Sequence, residues 1–142
     1  MFVFQRSLPA VRMRMHALRQ LYRKVLAEIT KDTRGLELMR DWLSPEQRAQ
    51  FDRSGRFEVI CCHSGKRYRI YHGTAQNVFE IDDAGWLIIV GLCFMPSGKL
   101  VAGDVMLAQK IALETNENGA LAVANRFVPV ARVIRRFSWP LF

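Results

Sequence analysis

The side chains best able to do chemistry are few in this chain, which holds three histidines and three cysteines in 142 residues. Cys61, Cys62, His63, His72 and Cys93 are the candidates for a metal. Adjacent cysteines on a strand point to opposite faces, so at most one of Cys61 and Cys62 can join a given site. The two-to-four-residue ligand spacing of a zinc site is also missing. Small buried hydrophobes are the simpler reading of these cysteines. For nucleophilic catalysis, only His16, His63 and His72 could serve as a base, and no nucleophile-elbow motif is present. Asp82 and Asp83 stand in a turn pattern, where they form the turn before they act as acids. Gly65-Lys66 and Gly98-Lys99 lack both the upstream glycine and the following hydroxyl of a phosphate loop. No metal or cofactor is therefore expected, and an enzyme of unknown reaction ranks third among the functional readings.

Cations interleaved with aromatics are the more promising material. Lys66, Arg67, Arg69 and Tyr71, followed by His72, could grip phosphates and stack bases if they lie on an exposed sheet face. An ordinary solvated face made of long side chains explains the same residues. Arg12, His16, Arg19 and Arg23 recur along one side of an N-terminal helix, and Arg132, Arg135 and Arg136 lie in an apolar C-terminal segment. A solvated flank on a docked helix is the plain reading of the first group. A phosphate-facing or membrane-facing edge is the sharper one.

The charge distribution separates these readings. Net charge is +8. Residues 1–27 hold six Lys or Arg and no acid, and residues 126–142 hold four Arg and no acid. That leaves 11 of the 21 basic residues against all 13 acids in between. A near-neutral body thus carries a basic extension at each end, which suggests an anionic partner. No apolar run reaches the length of a spanning helix, and the start lacks an uninterrupted signal-peptide core. In a eukaryotic chain the Arg-rich start would suggest a transit peptide, and translation from Met13 or Met15 would shorten the helix. Three cysteines, two of them adjacent, make a poor disulfide framework, so a reducing, cytoplasmic setting is expected.

The elements that must position these residues can be read from periodicity. Val11, Met15, Leu18, Tyr22, Val25 and Ile29 are spaced 4, 3, 4, 3 and 4, an amphipathic helix with Ser7 as N-cap. A second helix, capped by Asp32 or Thr33, should bury Leu36, Met39 and Leu43. Ser44-Pro45-Glu46-Gln47 spells a capping box for a third, which should end before Gly55. The period then changes to two. Phe57–Cys62, Arg67–Tyr71, Asn77–Ile81 and Trp86–Met95 read as strands of an antiparallel meander, the last the most buried. Gly103–Thr115 reads as a central helix capped by Asp104 and buried on two sides, with Val105, Leu107, Ala108, Ile111 and Ala112 as its broad apolar face. Ala120–Asn125 reads as a short helical continuation.

Several of these runs together resemble a family of small, uncharacterised bacterial and phage-associated proteins. They are Leu43–Gln47, Gly65–Ile70 with Gly73 and Asn77-Val78, Cys93–Pro96, Gly103–Thr115 and Ala122–Phe127. The likeness spans residues 33–127 and implies a boundary, not an activity. The expected organisation is α+β: N-terminal helices, about four antiparallel strands, a buried central helix and a basic apolar tail. The segments are a basic helix over 1–31, a body over 32–125 and a tail over 126–142. The expected function is a non-enzymatic binding or adaptor protein that contacts an acidic macromolecule through its basic ends. Nucleic acid comes first as partner, with an acidic protein face beside it. A peripheral module on an anionic membrane surface is the alternative.

Overall fold

Four helices and one five-stranded antiparallel sheet make up the computed structural model, which describes residues 8–129. The chain opens on α1 (Leu8–Trp42), then α2 (Pro45–Ser54). Four strands follow: β1 (Arg56–Ile60), β2 (Arg67–Tyr71), β3 (Val78–Ile81) and β4 (Ile88–Cys93). Helices α3 (Ala102–Thr115) and α4 (Glu117–Val123) then lead to β5 (Asn125–Phe127). Strand order is β1-β2-β3-β4-β5, so the expected α+β meander is present with a fifth strand added at its edge.

That fifth strand corrects two readings. The chain turns at Ala124 and pairs Asn125, Arg126 and Phe127 with β4, so Asn125 is strand and not helix, and the first residues of the basic tail belong to the sheet. The short helix begins at Glu117, because Asn116 accepts a hydrogen bond from the Gly119 amide and restarts the helix at once. Gly91 lets the edge strand close up. A Cβ there would overlap the ring of Phe127, which stacks edge-on against Phe79 at 5.6 Å, and Phe79 meets Tyr71 at 5.3 Å.

Local signals around α2 hold. Ser44 and Gln47 form the reciprocal capping box, and Gly55 ends the helix in the left-handed conformation at φ 70°. The hairpin after β1 closes through Gly65 at φ 68°, and Asp82 caps its own turn by accepting from the Trp86 and Leu87 amides. β4 buries Ile88, Gly91, Leu92 and Cys93, the most of any strand, although Ile89 faces out and Trp86, Leu87 and Met95 beside the strand are exposed.

Helix α3 lies across the inner face of the sheet, as its length and apolarity imply, but it presents a different side. Val105, Met106 and Leu113 are buried together with Gln109 and Lys110, while Ala108 and Ile111 are exposed. The polar pair is buried because each has a partner. Gln109 and Asn77 exchange two hydrogen bonds at 2.9 Å, and the Lys110 ammonium sits 2.6 Å from the Glu114 carboxylate. Asp104 does not cap this helix. The N-cap is Val101, with no side-chain bond, and Asp104 stands exposed in the first turn.

The largest correction concerns the N-terminal helices, which are one. No turn intervenes near Asp32, so α1 runs 35 residues, about 52 Å at 1.5 Å per residue. Only its last part docks. Met39 and Leu43 are buried in the core with Leu36 packed against it, whereas residues 9–34 are all exposed. Docking is a backbone-to-backbone approach of α1 and α3, since a Cβ on Gly103 would overlap the Gly35 carbonyl and the Leu36 nitrogen. Gly103→Ala should therefore force the helices apart and cost about 1–3 kcal/mol, read as a lower midpoint in urea. An unchanged midpoint would mean that the crossing is looser than the backbone positions require.

Candidate functional site

Residues 9–34 of α1 form an exposed arm that, among the described residues, meets the body only near its base, where Glu28, Lys31 and Asp32 lie beside Lys99–Val101. Two stripes run along it. At 100° per residue, Arg12, His16, Arg19 and Arg23 share one flank. Val11, Met15, Leu18, Tyr22, Val25 and Ile29 form the seam beside it. Tyr22 is 65% exposed and Leu18 60%, far above what a seam on a docked helix would leave uncovered. The plain expectation of a helix lying against the body is thus overturned. The docked end begins at Gly35, the first buried residue of the helix, where the backbones of α1 and α3 meet. Among the described residues, no ion pair engages Arg12, Arg19 or Arg23, and the arm's one bridge is the exposed Glu28–Lys99 pair at 3.1 Å.

The second-strand cations have another fate. Arg67, Arg69 and Tyr71 share the outer face of β2 as alternation requires, but their charges are consumed within the sheet. Arg69 is buried and donates to Glu58 at 2.8 Å and to the Gly85 carbonyl at 3.1 Å. Arg67 bonds the other oxygen of Glu58 and the Asp83 carbonyl. Lys66 faces Glu80 at 3.6 Å, and Tyr71 carries the Arg56 guanidinium over its ring at 5.4 Å. Arg67 and Arg69 thus have no free fork for phosphate. Sequence reading missed Glu58 because its register opposite Arg69 is a property of strand pairing, which alternation alone does not fix. His72 and His63 are exposed beside turns and are not brought to the arm's stripe. Arg132, Arg135 and Arg136 lie outside the described residues.

Besides a small cleft of about 230 Å³ between Glu28, Lys31 and Asp32 of the arm and Lys99–Val101, two larger concavities bear on the search for chemistry. A polar cleft of about 420 Å³ between α2, β1 and α3 holds Glu46, Glu58, Glu114, Arg67 and Lys110. Glu58 pairs there with Arg67 and Glu114 with Lys110, and the Gln47 amide donates to the Glu114 carboxylate at 3.1 Å. An apolar groove of about 530 Å³ runs beside α3 and α4 past Met95, Leu100, Ala108, Ala112 and Val123. It contains no convergent acid and base. Burial and the neighbouring Glu117 push the Cys61 thiol up to about 12, which leaves it protonated and inert as a nucleophile. Among the described residues, no three His, Cys, Asp or Glu side chains converge as a metal site would need. None of the described helices is long and apolar enough to cross a membrane.

No family model, curated protein or solved structure matches this chain. The resemblance over residues 33–127 therefore stands on its sequence runs alone.

The outer-face ion cluster has a pH signature. Burial pushes the Glu58 carboxyl up, but hydrogen bonds from Arg69 and Arg67 and their charges outweigh it and hold the group below its ordinary 4.5. A carboxylate so depressed contributes stability above pH 4.5 that is lost as pH falls through its folded value. Glu58→Gln should cost on the order of 2 kcal/mol at neutral pH and flatten the loss of stability between about pH 5 and pH 3. Urea titrations across that range check it. An unchanged acid limb in the variant would show that the cluster carries no pH-dependent stability.

Proposed function

We propose that this chain is a non-enzymatic binding protein that grips an acidic macromolecule, nucleic acid foremost, along the basic flank of its α1 arm. The observation that carries the reading is the state of Arg12, Arg19 and Arg23. They lie with His16 on one side of a helix that stands clear of the body, and no described acid pairs with them. A stripe of guanidinium groups on a straight rod matches the repeating charge of a phosphate backbone, and it supplies affinity without base readout. The β2 cations serve the fold instead, so the basic surface is the arm, with the C-terminal arginines as a second element of the proposal. Two of the three free thiols, Cys61 and Cys93, are buried, which fits action in a reducing compartment such as the cytoplasm.

Binding of a labelled 20-base-pair duplex, followed by fluorescence anisotropy across a salt series, tests this directly. Affinity should fall steeply with salt, and Arg19→Glu with Arg23→Glu should weaken binding and lower the slope of log K against log salt by about 2. The companion measurement uses vesicles with and without anionic lipid. Binding to anionic vesicles alone, with none to the duplex, would overturn the nucleic-acid reading in favour of a membrane-surface module.

A further inference from the structure

We infer that α1 is also a self-association arm, through which two copies of this chain pair side by side in antiparallel orientation. The inference rests on the seam and not on the basic flank, so it stands apart from the proposed nucleic-acid contact. Val11, Met15, Leu18, Tyr22, Val25 and Ile29 continue into Leu36, Met39 and Leu43 with alternating spacings of 4 and 3. Asp32, the interrupting member of this seven-residue repeat, falls where the exposed arm meets the docked end. A sustained heptad seam is what a helix needs to lie along another helix. Below Asp32 the body fills that role, because Met39 and Leu43 are buried and Leu36 packs on the core. Above Asp32 the same seam runs on in solvent, with Val11 53% and Ile29 54% exposed. Helices in proteins draw most of their stability from packing an amphipathic face, so the seam calls for a partner helix.

Direction follows from the body. A parallel partner on the seam would carry its own residues 36–43 into the space that the first copy's α3 and sheet occupy. In an antiparallel partner centred on residue 20, Leu8 stands opposite Asp32. The partner's α1 therefore stops short of the docked end, and the two bodies lie at opposite ends of the rod. The register then centres on residue 20 and gives six apolar layers: Val11 against the partner's Ile29, Met15 against Val25, Leu18 against Tyr22, and the same three reversed. Flanking positions agree with this arrangement. Arg14 of each copy lies beside Glu28 of the other, and Leu21 meets its own counterpart near the two-fold axis. Glu28 is free to exchange partners because its bridge to Lys99 is exposed and weak. Arg19 meets its counterpart on the opposite flank, the one unfavourable pair. That pairing also brings the two basic flanks together into one ridge.

The test uses the full-length protein. Sedimentation equilibrium should give a dimer that Leu18→Glu weakens at least a hundredfold, with the circular-dichroism spectrum of the body retained. Arg14→Glu should weaken it about tenfold, and adding Glu28→Arg should restore it. Orientation is read in a Cys62→Ser background, since Cys61 and Cys93 are buried. There Leu21→Cys should couple through a short bis-maleimide, whereas Val11→Cys should not, its counterpart being about 27 Å away at 1.5 Å per residue. Arg19→Gln separates the two proposals: it should tighten the dimer while weakening the duplex. A monomer at all concentrations, or coupling at Val11→Cys, overturns the inference. A dimer of the expected register that ignores the duplex supports it and overturns only the nucleic-acid reading.

Discussion

The close approach of Gly35 to Gly103 lets α1 and α3 meet backbone to backbone, and it fixes α1 to the body at one end only. Around that crossing, Met39, Leu43 and Met106 join Phe57, Tyr68 and Ile70 in a single core. The same contact sets the direction in which the rest of α1 leaves. Because no proline or turn interrupts the helix above it, the apolar seam that seals the core at one end is carried rigidly into solvent at the other. The molecule therefore exposes, by construction, a surface of the kind it buries elsewhere.

The sheet divides its two faces between these needs. Its inner face holds the core and a few fully partnered polar groups. Asn77 is bonded to Gln109 and the Tyr71 carbonyl, and Glu117 accepts from Ser64 at 2.7 Å and from the Tyr68 hydroxyl at 3.3 Å. Its outer face ties Arg67 and Arg69 to one carboxylate, Glu58, and lines Tyr71, Phe79 and Phe127 edge to face across the strands. Both faces spend their charge internally. On the arm, by contrast, the basic flank and the apolar seam run side by side in solvent.

How much of this could be read from residue order depended on the range of the interaction. Ser44 with Gln47, Gly55 in its left-handed position and the Asp82 turn are set by neighbours within five residues, and each was legible. The α+β meander followed from alternation. Long-range register was not legible: Glu58 opposite Arg69, or Gln109 opposite Asn77, turns an outwardly polar residue into a buried one. Thr33 and Asp32 look like helix caps, yet the helix passes through them, since Thr33 bonds back to the Ile29 carbonyl within it. The seam's spacing was plain, but spacing alone says that a helix has an apolar side and not what covers it.

Hydrogen exchange along α1 at rising protein concentration tests the central claim most directly, namely that the arm is uncovered by its own body and sealed by a second copy. The account requires amides of residues 11–29 to exchange quickly at high dilution and to slow as concentration increases, while those of 36–42 and of β2 stay protected throughout. Equal, concentration-independent protection on both sides of Asp32 would contradict it, because the arm would then already be packed within one chain.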